Sequence, residues 1–288
     1  LRIASARQDA NSPGVFPNDP YFPRQWHLHN TGQSGGTPGA DIRAPEAWEI
    51  TTGDPNIIVA IPDTGLDSNH PDLVDNLVPG YDFYENDEKP DPALDKPVNA
   101  HGTGCAGLAA AKGNNALGVT GITWDCRIMP IKVETADGLC SDADIATAFR
   151  WMASKGADVI TNSWGYGRAV PITHSAIIDI TRPGGLGRGG KGCVVTGGSG
   201  NGGGNNMVYI ARYREVISVG ATNDKDVRCS YSSYGPELDM IAPGGQGRGS
   251  LWTTDISGSP GWNVPFDPNI LNYACGSGTS FTSPIAAG

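Results

Sequence analysis

No stretch of this 288-residue chain is long and apolar enough to cross a membrane, and no segment repeats another. A membrane-spanning protein and a repeat array are therefore not expected. The six cysteines, Cys105, Cys126, Cys140, Cys193, Cys229 and Cys275, include no CxxC pair, which argues against a zinc ribbon. Disulfides would fit an exported protein, with their pairing left open. Basic residues are the scarcer charge, 20 Lys and Arg against 30 Asp and Glu, for a net charge of -10. That disfavours nucleic acid as the main partner. It suits cation binding, and equally a solvated acidic surface. The sequence starts at Leu1 without a signal-peptide pattern, and a leader or pro-segment is expected to have been removed.

What is present suffices for one large domain: 38% hydrophobic residues, with 41 glycines and 22 prolines punctuating short apolar runs as turns. Residues 1–38, rich in Pro, Gly, Asn and Gln, read as an extended, irregular segment packed on the domain, and 39–288 as the domain itself. Runs at 57–65, 127–133, 157–165, 193–201, 216–222 and 238–243 read as buried strands. Between the second and third, "SDADIATAFRWMASKG" places Ile145, Phe149 and Met152 on one helical face, with Ser141 or Asp142 to cap it and Gly156 to end it. Strands alternating with helices predict a three-layer α/β fold, a mainly parallel central sheet with helices on both faces. Sites in such sheets collect beyond the carboxyl ends of the strands.

Three motifs carry chemistry. "IPDTG" ends a predicted strand with Asp63. "NAHGTGCAG" puts His101 at the mouth of a small-residue helix. "GSGTSFTSP" puts Ser280 at the start of another. Singly, each is explained by a turn, a cap or a helix start. Together they supply a hydroxyl nucleophile, an imidazole base, and a carboxylate to fix the base's tautomer. Glycines around Ser280 allow a substrate backbone to approach, and the helix N-terminus adds a positive field. Pro284 is expected in the first turn, where proline is tolerated.

The order Asp, His, Ser and these motifs resemble the subtilisin-like serine proteases, the subtilases, from about Asn18 onward. The resemblance implies a calcium-stabilised serine endopeptidase, secreted or extracytoplasmic and made as a zymogen, acting on protein or peptide substrates through an acyl-enzyme on Ser280. It implies that Asn201 in "GGSGNGGG" donates to the oxyanion. It also implies that Ser163, Trp164 and Gly165 pair with the substrate backbone, and that Gly198, Ser199 and Gly200 form the opposite wall of the pocket for the residue before the cut. Cys105 is expected to be a buried, unpaired thiol.

Two branches are echoed. "NDPYF", "DFYENDEKP" and "SSYGPELDMIAPG" look like the thermitase-type subtilases, whereas "WHLHNTGQ" and "CAGLAAAKGNNALGVTGI" are similar to kexin-like processing proteases. The acids that kexins place around their pockets are missing; Arg168 stands where one is expected. Asp137, Asp142 or Asp144 would have to reach a neighbouring subsite from elsewhere. Broad cleavage favouring large apolar residues is therefore expected over strict cutting after paired basic residues. By the resemblance, calcium is held by Asp19, Asp72, Asn115 and the carbonyls of Leu117 and Val119, and at a second site by Asp82, Glu85 and Asp87.

In subtilases the helix bearing the serine is long and is followed by others, whereas only eight residues follow Ser280. The remainder is expected as a separate C-terminal chain or to be lost by truncation. A pro-segment is an expected inhibitor. The rival functions are a kexin-like processing protease, a peptide ligase using the same acyl-enzyme, and a catalytically inactive subtilase that only binds.

Overall fold

The computed structural model describes residues 14–247, 250–263 and 270–288. The first thirteen residues of the expected N-terminal segment lie outside them. The strands are β1 Ile58–Asp63, β2 Tyr81–Asp82, β3 Arg127–Lys132, β4 Glu134–Thr135, β5 Gly138–Leu139, β6 Val159–Asn162, β7 Val194–Gly198, β8 Ile217–Thr222, β9 Met240–Pro243, β10 Leu251–Thr254 and β11 Tyr273–Gly276. The α-helices are α1 Ala44–Trp48, α2 His101–Ala110, α3 Asp142–Ser154, α4 Pro171–Thr181 and α5 Thr279–Ala287. Seven strands form one sheet in the order β2-β3-β1-β6-β7-β8-β9, and every neighbouring pair is parallel.

The strand sequences explain why both faces are covered. Along β1, Val59 and Ile61 enter one apolar core while Ala60, between them, enters the other. The first core holds α2 and α5, through Cys105, Leu108, Phe281 and Ile285; the second holds α3 and α4, through Ile145, Phe149, Met152, Ile177 and Ile180. The expected three layers are therefore present. Ser141 caps α3 by accepting the Asp144 N–H at 3.2 Å, and Gly156 follows with φ 94°. No helix among the described residues is long and apolar enough to cross a membrane.

The small residues of α2 have a packing cause. From Gly102 to Ala110 every side is buried, and the antiparallel hairpin β10–β11 lies across the helix. Thr253 Oγ1 donates to the Gly104 carbonyl and Thr254 Oγ1 to that of Thr103, both at 2.6 Å. A Cβ on Gly107 would fall 2.3 Å from Thr254 Oγ1. This hairpin was not expected from the sequence.

The site lies at one end of the sheet. Asp63 ends β1, Ser163 follows β6, and Asn201 follows β7 by three residues. The N-termini of α2 and α5 deliver His101 and Ser280 to the same end.

Candidate active site

Asp63 is buried, and its Oδ1 accepts from two donors, the Thr64 backbone N–H and His101 Nδ1, both at 2.8 Å. Thr64 also braces the next element. Its hydroxyl donates to the Asn99 carbonyl at 2.7 Å and accepts the Gly102 N–H at 3.0 Å. Gly102 is needed here, because a Cβ would lie 2.2 Å from the Gly65 carbonyl oxygen. With Nδ1 committed to the carboxylate, Nε2 is the ring nitrogen left to exchange a proton.

Burial pushes the His101 imidazole toward neutrality. The Asp63 carboxylate beside it outweighs burial and, helped by Cys105, holds the imidazole well above its ordinary range. Cys105 is fully buried one turn along α2, with Sγ 3.9 Å from His101 Nδ1. Burial pushes the thiol up, so it stays protonated and is no competing nucleophile. All six cysteines are free thiols in the structure.

Ser280 is the second residue of α5, where backbone N–H groups have no intrahelical acceptor. Its Oγ donates to the Ser163 carbonyl at 2.9 Å, and no hydrogen bond joins it to His101 among the described residues. Pro284 corrects the sequence reading. It is the sixth residue of α5, beyond the first turn. Its missing N–H frees the Ser280 carbonyl four residues back, which accepts instead from Ser163 Oγ at 2.6 Å and Cys105 Sγ at 3.6 Å. Further along, Ser283 Oγ is within 2.9 Å of Thr161 Oγ1 and 2.8 Å of Thr196 Oγ1, fixing the helix to β6 and β7.

Asn201 is oriented by α5. Its Oδ1 accepts the Thr279 N–H at 2.9 Å and the Thr279 hydroxyl at 3.1 Å. The amide is thereby turned so that Nδ2 faces Gly278, with no hydrogen-bond acceptor among the described residues.

The expected pocket walls are only partly at the surface. Gly165 and Gly200 border the cleft half-exposed, but Gly198 and Ser199 are buried behind it. A Cβ on Gly198 would meet the Thr279 carbonyl oxygen at 2.4 Å, and Ser199 Oγ donates to the Ser233 carbonyl at 2.9 Å. The Trp164 indole is core, with Nε1 donating to the Pro62 carbonyl at 2.7 Å, so only its backbone is available to a substrate. Val208 lies between the glycine walls.

Three acids considered for subsites are engaged: Asp137 with Lys96 at 2.6 Å, Asp142 with Arg168 at 2.8 Å, and Asp144 with Ser141 Oγ at 2.6 Å. The sequence reading missed Glu134. It lines a cleft of about 380 Å³ together with Val98, His101, Ala136, Ser163 and Gly165. Burial, reinforced by Asp63, pushes its carboxyl up to about 7. Its place two residues past the end of β3, whose Lys132 pairs with Asp63 of β1, was the available signal.

Asp19 and Asp72 are both buried, and no salt bridge reaches either among the described residues. Asp19 accepts the Asn114 N–H at 2.7 Å; Asp72 accepts Asn115 Nδ2 at 2.8 Å and the Val119 N–H at 2.9 Å. Burial pushes Asp72 up to about 6, with Asp19 adding to the rise, and raises Asp19 as well. Two neighbouring buried carboxylates without a cationic side chain among the described residues, brought from separate segments against the loop of Asn115, Leu117 and Val119, are a hard-oxygen donor set that fits calcium, with the Asn115 amide turning over to offer its oxygen. The Asp82 loop differs. Lys132, itself buried, places Nζ 3.0 Å from Asp82 Oδ2 and 2.5 Å from Glu85 Oε2, while Asp87 Oδ1 accepts the Lys89 N–H. An ammonium already bridges two of the three expected ligands there, and calcium would have to displace it.

Residues 54–288 match the Subtilase family. Thermitase of Thermoactinomyces vulgaris is 34% identical over 94% of this chain and 83% of its own length. A calcium-dependent protease of Trichormus variabilis is 34% identical over 93% of the chain and 43% of its own. Neuroendocrine convertase 2 of Homo sapiens is 32% identical over 98% and 44%. The chain thus spans about half the length of several curated relatives, as in a thermophilic proteinase of Bacillus sp. (strain AK1), where it covers 53%. Among solved structures, a protease from Pseudoalteromonas arctica superposes with a TM-score of 0.77 at 28% identity, covering 95% of this chain and 85% of that one. With its motifs seated at one end of a seven-stranded parallel sheet, the chain belongs to the subtilase family of serine proteases.

Proposed function

We propose that the protein is a serine endopeptidase that hydrolyses peptide bonds through an acyl-enzyme on Ser280. The observation that carries this is the 2.8 Å bond from His101 Nδ1 to buried Asp63, facing the same cleft as the α5 N-terminus. Rotation about the Ser280 Cα–Cβ bond moves Oγ from the Ser163 carbonyl toward His101 Nε2. The imidazole takes the hydroxyl proton as Oγ attacks the substrate carbonyl, and Asp63 stabilises the imidazolium. Asn201 Nδ2 and the Ser280 N–H receive the oxyanion. The imidazolium then protonates the leaving amine, and water completes the cycle by the reverse path. Fluorophosphonate labelling tests this: the folded protein should be labelled at Ser280 and the Ser280→Ala variant should not. No labelling of folded wild type would favour the binding-scaffold reading.

Calcium held by Asp19, Asp72, Asn115 and the Leu117 and Val119 carbonyls would neutralise the paired carboxylates and pin the 113–119 loop to the N-terminal segment. In keeping with the family, we read the protein as secreted and made with an inhibitory pro-segment. Glu134 supports a second specificity reading, nearer the kexin-like branch. A basic side chain preceding the residue at the cut would meet a carboxylate beside His101. Enrichment of Lys or Arg at that position in a digested peptide library would support it, and an unbiased distribution would remove it.

A further inference from the structure

The pocket assigned to the residue before the cut has Gly165 on one wall and Gly200 on the other. A Cβ built on Gly165 would lie 2.7 Å from Val208 Cγ2 and 2.9 Å from Val208 Cβ. A Cβ built on Gly200 would lie 2.9 Å from Val208 Cγ1. One isopropyl group therefore reaches the faces of both glycines. Val208 packs directly against both glycine walls.

The valine is held there by its backbone. Val208 N–H donates to the Ser199 carbonyl at 3.1 Å, which ties it to the wall that carries Gly200. The next residue is tied to the other wall, with Tyr166 N–H donating to the Tyr209 carbonyl at 2.7 Å and Tyr209 N–H to that of Tyr166 at 2.9 Å. The segment bridges the two walls as a floor. A β-branched side chain is stiff about its first torsion, so neither methyl can swing aside without leaving its rotamer. Val208 is half-buried, so part of its surface remains open.

We propose that Val208 is the specificity-determining residue of this pocket: its methyl groups raise the floor, so that cleavage follows small residues such as alanine or serine. Large apolar and aromatic side chains are excluded, contrary to what the glycine walls alone suggest. A methyl or hydroxymethyl group ends above the valine. A phenyl ring would require the space that Cγ1 and Cγ2 occupy, and close-packed walls have no slack to give it. This inference rests on the serine-endopeptidase reading.

The test is the ratio of kcat/KM for two chromogenic peptides that differ only in Ala or Phe before the scissile bond, measured on the full-length protein. Wild type should favour Ala by about tenfold or more, and Val208→Gly should lower that ratio by about ten- to a hundredfold, with Val208→Ala between. A wild type that prefers Phe, or a ratio unchanged in both variants, would overturn the proposal. Binding of product peptides ending in Ala or Phe to the Ser280→Ala protein, followed by calorimetry, reads the pocket without catalysis. If wild type resists fluorophosphonate yet its pocket still discriminates in binding and Val208→Gly abolishes that, the protease reading fails and the pocket assignment stands. If it labels and hydrolyses but the ratio does not move, only the pocket assignment fails.

Discussion

Ser163 and Ser280 exchange hydrogen bonds in both directions: Ser280 Oγ donates to the Ser163 carbonyl at 2.9 Å, and Ser163 Oγ to the Ser280 carbonyl at 2.6 Å. The second bond exists because Pro284 has no N–H to offer that carbonyl. The segment leaving β6 and the N-terminus of α5 are thus locked together at Ser280. Ser163→Ala would leave the carbonyl with only the weak Cys105 thiol. We expect a loss of about 1 kcal/mol in unfolding free energy, the cost of leaving a part-buried acceptor under-satisfied. We also expect a lower kcat as the α5 N-terminus loses its brace. Denaturant unfolding and steady-state kinetics check the two effects, and an unchanged midpoint would mean the lock has no energetic weight.

The catalytic groups should behave as one unit. Ser280→Ala and His101→Ala should each abolish nearly all activity, and the double variant should be no worse than either single one. Asn201→Ala should lower kcat with little change in KM if, as proposed, its Nδ2 meets charge that develops only in the transition state. Multiplicative losses in the double variant would argue that Ser280 and His101 do not share a proton path.

Much of this arrangement was legible in the sequence because the deciding signals are local. The six apolar runs each became a strand of the parallel sheet, and Ser141 capped the expected helix. Asp63, His101 and Ser280 sit in motifs whose small residues are dictated by close backbone approach, as at Gly102 and Gly107. What was not legible depends on neighbours distant in the chain. The β10–β11 hairpin has four-residue strands, too short to show a period. Val208 looks like any apolar residue until Gly165 and Gly200 are placed around it. Glu134 reads as a solvated acid until Asp63 and His101 approach, and the ammonium of Lys132 between Asp82 and Glu85 comes from β3, well beyond them in the chain.

Chelation should lower the melting temperature of the protein, since an ion bound only by the folded state stabilises it by mass action. Asp72→Ala should remove most of that dependence, whereas Asp87→Ala should not, because the Asp82 loop is held by Lys132. Thermal scans with and without chelator check both. A calcium response that survives Asp72→Ala but vanishes with Asp87→Ala would move the ion to the second loop.

The pH dependence of activity follows from His101. Its imidazole is held above its ordinary range of about 6.5 and acts only when neutral, so the acid limb of kcat/KM should lie above that value. Glu134 titrates near 7 and, once ionised, favours the imidazolium. Glu134→Gln should therefore move the acid limb to lower pH, as should Asp63→Asn, which in addition costs most of the rate. An acid limb unmoved by Glu134→Gln would place that carboxylate outside the field of the base.

Stability should respond to pH through another histidine, with the opposite sign. His27 is wholly buried, and neither ring nitrogen has a hydrogen-bond partner among the described residues. Burial pushes its imidazole down to about 3. A histidine that is neutral when folded and protonates freely when unfolded contributes stability that is fully present above about pH 6.5. That contribution is lost as pH falls toward 3. The His101–Asp63 pair runs the other way, contributing below about 6.5 and losing its contribution as pH rises through the raised folded value. Acid unfolding should therefore be driven in large part by His27. His27→Leu puts an apolar side chain of similar size in its place and removes both buried ring nitrogens. It should fold at neutral pH and shift the acid-unfolding midpoint to lower pH, read by circular dichroism against pH. A midpoint equal to that of wild type would assign acid lability to other groups.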